Sequence, residues 1–166
     1  MAIARRATPD DAASIARVYN DGIADRIATF ETRLRSVDDV RSWFDGIHPI
    51  MVVEDANEVI AFAATFSYRP RECYAGIAEV SVYVARSARS QGAGRMALAA
   101  LIEAAEQAGY WKLLSRIFPE NQASRNLVRR AGFREVGVYE KHAKLDGVWR
   151  DVVIVERLLK GTGNTV

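Results

Sequence analysis

The segment Val82-Tyr83-Val84-Ala85-Arg86-Ser87-Ala88-Arg89-Ser90-Gln91-Gly92-Ala93-Gly94-Arg95 carries the residue types most suited to chemistry. An alternating apolar run enters a turn bearing arginines and glycines, and the turn opens a helix. Free backbone N–H groups at a helix start bind phosphate, helped by the helix dipole. Gly92 and Gly94 let a bulky pyrophosphate approach the backbone, and Arg89 and Arg95 add charge. The spacing is R-x-x-G-x-G. It is not a Walker loop, because no G-K-[ST] follows, and it lacks the dinucleotide pattern G-x-G-x-x-G. Taken alone, the six residues fit a plain surface turn. The strand-to-helix setting is what points to a phosphate.

The surrounding elements follow from periodicity. Ile77 to Ala85 alternates, with Glu79, Ser81 and Tyr83 on one face and Val80, Val82 and Val84 on the other. Before it, a long strand puts Ile60, Phe62, Ala64, Phe66 and Tyr68 on one face and the smaller Ala61, Ala63, Thr65 and Ser67 on the other. Gly92 to Ala108 reads as a helix with Leu98, Leu101, Ile102 and Ala105 as its buried stripe, ended by Gly109. Lys112 to Phe118 is a strand, and Asn121 to Ala131 a helix closed by Gly132. Two strands finish the chain, about Phe133 to Lys141 and Trp149 to Leu158, joined through Asp146-Gly147. Near the start, Ile3 to Ala7 is a strand. Thr8 caps a helix that has Pro9 at its first position, Asp10 and Asp11 in its first turn, and an apolar stripe of Ile15, Val18, Tyr19 and Ile23. A second helix is expected from about Val37 to Asp45, then a strand over Met51 to Glu54 and a turn at Asp55-Ala56-Asn57. The order βα-α-βββ-α-β-α-ββ predicts an α+β fold: a mixed, mainly antiparallel sheet of about seven strands flanked by about four helices. One domain over residues 1–160 is expected, with 161–166 as a frayed tail.

Composition narrows the function. Of the 166 residues 49% are hydrophobic and 27% charged, which excludes a disordered chain. No apolar run reaches the roughly 20 residues of a membrane span, and the N-terminus turns acidic before any apolar stretch, unlike a signal peptide. Lys+Arg of 23 against Asp+Glu of 21 gives +2 without a basic block, which argues against nucleic acid as a partner. One cysteine, Cys73, excludes an internal disulfide framework, and two histidines, His48 and His142, argue against a metal site. A soluble cytoplasmic domain with a small ligand is the expectation.

The Val82–Arg95 segment resembles the acetyl-CoA pyrophosphate loop of the GNAT superfamily of N-acetyltransferases. Asn121-Gln122-Ala123-Ser124, with Leu127 and Ala131-Gly132-Phe133, is similar to the superfamily's second cofactor motif. Ala28-Thr29-Phe30-Glu31-Thr32, Ala78 to Val84 and Asp146-Gly147-Val148-Trp149-Arg150-Asp151-Val152 resemble the phosphinothricin N-acetyltransferase branch. Tyr68 to Gly76 and Ser115-Arg116-Ile117-Phe118-Pro119-Glu120-Asn121 are most similar to arsinothricin N-acetyltransferases, which detoxify an arsenic analogue of phosphinothricin.

The resemblance implies acetyl-CoA as co-substrate, no metal, a homodimer, and an acceptor among amino-acid-like antimetabolites: arsinothricin, phosphinothricin, or methionine sulfoximine or sulfone. It assigns Val82, Tyr83 and Val84 to the pantetheine arm, Arg89, Ser90, Gln91, Gly92, Ala93, Gly94 and Arg95 to the pyrophosphate, and Asn121 with Ser124 to the second motif. Glu79 takes the place of the branch's glutamate, a general base for the protonated amine, directly or through a water. Val82 N–H is the implied oxyanion donor. Substrate contacts are expected from Phe30, Arg69, Arg71, Glu72, Cys73 and Glu79. Arg69 and Arg71 share a side only if the strand continues through Pro70; exposed strand-end charges are the other reading.

One position departs from the pattern. Seven residues after Asn121, many superfamily members have a tyrosine and phosphinothricin enzymes a histidine; here it is Val128. The thiolate would leave unprotonated, take a proton from solvent, or use Tyr83. A non-catalytic acyl-CoA-binding module on the same fold is the competing reading, against which Glu79 argues. His48 and His142 read as solvated residues, Cys73 as a loop thiol, Trp149 and Phe133 as core, and Asp151 as a structural hydrogen-bonding group.

Overall fold

A computed structural model describes residues 1–160; the expected frayed tail, 161–166, lies outside the described residues. The seven strands are β1 Ile3–Arg6, β2 Ile50–Asp55, β3 Glu58–Ser67, β4 Ile77–Val84, β5 Lys112–Ile117, β6 Arg134–Leu145 and β7 Val148–Leu158. They form one sheet in the order β1-β2-β3-β4-β5-β7-β6. Each neighbouring pair is antiparallel except β4 with β5. The helices are α1 Ala12–Asp25, α2 Val37–Arg41, α3 Ala93–Gln107 and α4 Gln122–Arg130. The expected mixed, mainly antiparallel sheet with four helices is the fold observed.

The alternation in β3 divides the core. Phe62 and Ala64 pack with Ile15 and Val18 of α1 and Val40 of α2, with Phe66 at the edge of the same cluster. Ala61 and Ala63 face the other way, toward Ala97, Leu98 and Leu101 of α3. The small side chains on that face let α3 lie close to the sheet. A third cluster, Phe118, Leu145, Val152 and Ile154, sits under β5 and β7 on the face that carries Glu79.

Before α1, Pro9–Asp11 forms a single 3₁₀ turn, and the N–H of Thr8 donates to Asp11 Oδ2 at 2.8 Å. Three boundaries differ from the sequence reading. Helix α2 stops at Arg41 rather than Asp45, and the N–H groups of Trp43 and Phe44 bond three residues back to Val40 and Arg41. This tightening accompanies the packing of Trp43 on Tyr19, Phe62 and Phe66, at ring distances of 5.5, 6.0 and 5.1 Å. Strand β6 continues to Leu145 through a bulge, where Lys141 has φ 46° and its N–H donates to Asp151 Oδ1 at 2.8 Å. Asp146 and Gly147, at φ 49° and 80°, then close a two-residue hairpin of the type that right-twisted strands favour. Finally, β3 ends at Ser67, so its alternation does not run through Pro70.

Candidate active site

Strands β4 and β5 pair only from Ile77–Lys112 to Glu79–Leu114. Beyond that they part, and β4 continues to Val84 while β5 runs to Ile117. The backbone direction within this splay follows from the ladder. The N–H of Ala85 donates to Ile60 O at 2.8 Å, so odd-numbered residues of β4 face β3. The even-numbered N–H and C=O groups therefore face the gap. Val80 O accepts from Ser115 Oγ at 2.9 Å across it. Val82 presents its N–H and C=O to a cleft of about 480 Å³ that it helps to line.

At the far end of β4 the chain makes a turn over Arg86–Ala88, then passes through Ser90 at φ 64° and Gly92 at φ 86° into α3. No Cβ neighbour crowds Gly92; its glycine serves the left-handed backbone. The first α3 bond runs from Met96 N–H to Gly92 O at 3.1 Å, so the N–H groups of Ala93, Gly94 and Arg95 precede the helical ladder. Asp25, at the end of α1, clamps this loop. Arg86 Nη2 lies 2.8 Å from its Oδ1 and Arg89 Nη1 2.6 Å from its Oδ2. Arg86 foremost, with Arg89, holds the Asp25 carboxyl below its ordinary range. Arg89 is thus a loop-shaping residue as well as a positive charge. Gly94 has a different job: a Cβ there would lie 3.2 Å from Val84 Cγ2 and 3.5 Å from Leu127 Cδ2. It lets α3 rest against β4 and α4.

The mouth of the splay holds the ionisable groups. Glu79 Oε1 is 2.7 Å from Arg116 Nη2, and both residues line the cleft. Asn121 caps α4, accepting from Ser124 N–H at 3.2 Å and donating to Ile27 O at 3.4 Å, which ties the 26–32 loop to the helix. Phe30 of that loop meets Phe118 edge-on at 4.8 Å and also lines the cleft, so packing and lining are one role. An interrupted parallel pair, a backbone amide facing the gap, and a helix N-terminus beyond it together fit a thioester-bearing arm ending in a pyrophosphate.

The comparisons agree with this geometry. The model of the GNAT acetyltransferase domain matches residues 3–134. The chain belongs to the GNAT acetyltransferase family. It is 32% identical over 157 residues to an L-methionine sulfoximine/L-methionine sulfone acetyltransferase of Pseudomonas paraeruginosa, covering 92% of this chain and 91% of that protein. It is 30% identical over 162 residues to a phosphinothricin N-acetyltransferase of Streptomyces coelicolor, covering 93% and 95%. A GNAT superfamily phosphinothricin acetyltransferase from Sinorhizobium meliloti, solved with acetyl-CoA, superposes with a TM-score of 0.89 at 26% identity, covering 99% of this chain and 95% of that one. The protein is an acetyl-CoA-dependent acyltransferase.

For a GNAT enzyme, the sequence-predicted residues divide clearly. Glu79, Val82, Tyr83, Phe30, Asn121 and Ser124 line one cleft. Val128 lines it too and is buried, so no side-chain acid acts from that position. Tyr83 stacks on Phe62 at 5.6 Å beside Tyr19 at 4.9 Å. Burial pushes its hydroxyl well above the usual phenol range. It stays protonated near neutral pH, so it can hydrogen-bond a thiolate, while full transfer of its proton to one runs uphill.

Arg69, Arg71, Glu72 and Cys73 are absent from the cleft lining. The pairing of Ser67 with Ala78 puts their loop at the Glu79 end of the sheet. There Arg69 stacks over Tyr68 at 5.1 Å, and exposed Cys73 sits in a 3₁₀ turn over Glu72–Tyr74. The strand stops short of Pro70, so alternation does not converge the two arginines. Sequence reasoning missed Arg116, Thr29 and His142, all lining the cleft. The signal for Arg116 was parity: Leu113 and Ile117 pack toward α3, which puts Leu114 and Arg116 on Glu79's face.

Proposed function

We propose that this acetyltransferase acts on the α-amino group of an amino-acid-like antimetabolite carrying a compact oxyanion or sulfoximine head. Arsinothricin and phosphinothricin come first, methionine sulfoximine or sulfone next, with detoxification in the cytoplasm as the outcome. The observation that carries this reading is the placement of the Glu79 carboxylate and the Val82 N–H in one cleft, on one strand, where β4 and β5 part. The motifs that resemble the arsinothricin and phosphinothricin enzymes, and the activities of the relatives above, support the choice of acceptor.

Acetyl-CoA supplies an acyl group activated as a thioester; the chain's own residues do the rest. The Ser90–Arg95 turn holds the pyrophosphate on N–H groups and the positive end of α3. Val82 N–H faces the developing oxyanion. Glu79 accepts the proton that an ammonium must lose before its nitrogen can attack. Glu79 and Val82 are three residues apart along the strand, about 10 Å, a span the amine bridges between carboxylate and thioester, so the proton reaches Glu79 directly or through a water. We further propose a homodimer. Val136, Val138 and Tyr139 on β6, with Val148 and Trp149 on β7, are large exposed apolar residues on one hairpin; sedimentation at a single-chain mass would remove this proposal.

Release of the CoA thiol, followed with a thiol reagent across a panel of amino acids, amines and alanine-initiated peptides, tests the acceptor. Saturable turnover of the oxyanion and sulfoximine amino acids is expected. Turnover confined to peptides or polyamines would overturn the reading.

A further inference from the structure

Resting on the amino-acid reading above, we propose that Glu79 and Arg116 form a recognition dyad for the zwitterionic end of an α-amino acid, with Arg116 the specificity residue for the α-carboxylate. The ion pair is itself the template. Glu79 Oε1 and Arg116 Nη2 are 2.7 Å apart and both face the cleft. An α-amino acid carries an ammonium and a carboxylate on one carbon. A substrate whose ammonium meets Glu79 therefore brings its carboxylate to the position beside it, where Arg116 stands.

The donor inventory supports this. Arg116 has five N–H groups in a planar fork, and one of them bonds Glu79. The guanidinium retains donors for a carboxylate without leaving its partner. Among the described residues, Arg116 is the one arginine or lysine in the cleft lining. Two other guanidiniums near this face are engaged elsewhere: Arg150 lies 4.6 Å over the Phe118 ring and 3.5 Å from Glu120, and Arg35 pairs with the carboxylate of Glu31. Arg69 and Arg71 lie outside the lining. The dyad reads the part common to all α-amino acids and leaves the side-chain head to the rest of the cleft.

The test compares L-methionine sulfone, whose side chain is uncharged, with its α-carboxamide, in wild type, Arg116→Gln and Arg116→Lys. Arg116 is partly exposed, so the variants are expected to fold, and unchanged KM for acetyl-CoA checks the cleft. Wild type is expected to favour the acid. Arg116→Gln should raise KM for the acid about 10- to 150-fold, the range of a lost charge-assisted hydrogen bond, and leave the carboxamide roughly unchanged. Lysine should recover only part of the preference, because an ammonium lacks the planar fork. An acid-over-amide preference that survives Arg116→Gln overturns the inference alone. So does an equal loss of kcat on both substrates with KM unmoved, which would make Arg116 a support for Glu79 only. A wild type inert toward every α-amino acid overturns the substrate reading and this one with it.

Discussion

Asp11 joins three parts of the chain through one carboxylate. Arg5 grips it with both terminal nitrogens, at 2.8 and 2.9 Å, and Thr8 N–H adds a bond at 2.8 Å. The bond from Arg5 foremost holds its carboxyl below the ordinary range, against the opposing effect of burial. Folded Asp11 therefore stays ionised at pH values where the unfolded residue, with a pKa of about 3.9, is protonated. The contribution is whole above that pH and is lost as pH falls through the folded value. Asp11→Asn should cost about 2 kcal/mol at pH 7, an estimate already lowered for the partly exposed Arg5. Denaturant titrations at pH 7 and pH 3 should show the gap between variant and wild type narrowing at the lower pH. A gap independent of pH would mean that the ion pair is not its source. At this scale the sequence was informative about Glu79, whose place in an alternating strand is local. For Arg116 it offered only strand parity and no partner, because no local pattern brings residues 37 positions apart to 2.7 Å. That contact needs the parallel β4–β5 pair.

Helix α3 shows how an element sets the loop proposed to hold acetyl-CoA. Its N-terminus is aimed by two glycines with different tasks: backbone sign at Gly92 and close packing at Gly94. The spacing R-x-x-G-x-G revealed both glycines and could not separate the tasks, since one depends on φ and the other on Val84 and Leu127. Gly94→Val would narrow the turn proposed to admit the pyrophosphate and so weaken acetyl-CoA binding. The 3.2 Å approach to Val84 adds a packing cost of about 1–3 kcal/mol. The variant should both melt earlier and bind acetyl-CoA more weakly by calorimetry; normal melting with normal affinity would remove the loop assignment. Other elements were legible for similar local reasons. The two faces of β3 follow from strict alternation of large and small residues. The end of α2 was not legible, because it coincides with Trp43 meeting aromatic rings from α1 and β3. Nor was the early stop of β3, since Tyr68 and Arg69 extend the alternating pattern beyond the last ladder pair at Ser67.

At the scale of the whole molecule, one interruption in one sheet organises the function. Five of the six neighbouring strand pairs are antiparallel, and the single parallel pair is the one that parts. The gap exposes a backbone amide, α3 and its loop close one end, and the Glu79–Arg116 pair marks the other. Among the described residues, no helix is long and apolar enough to cross a membrane. The fold class and the succession of elements along the chain were readable from periodicity, while the order of strands in the sheet and the cleft are properties of the assembled sheet. We propose that Glu79 removes the amine proton in this cleft, and the pH dependence of kcat for Glu79→Gln decides it. Glutamine keeps the size and removes the basicity. Near neutral pH kcat should fall by about 10²–10⁴-fold, and the deficit should shrink as rising pH supplies free amine. A folded Glu79→Gln variant with full activity at pH 7 would remove Glu79 from the reaction.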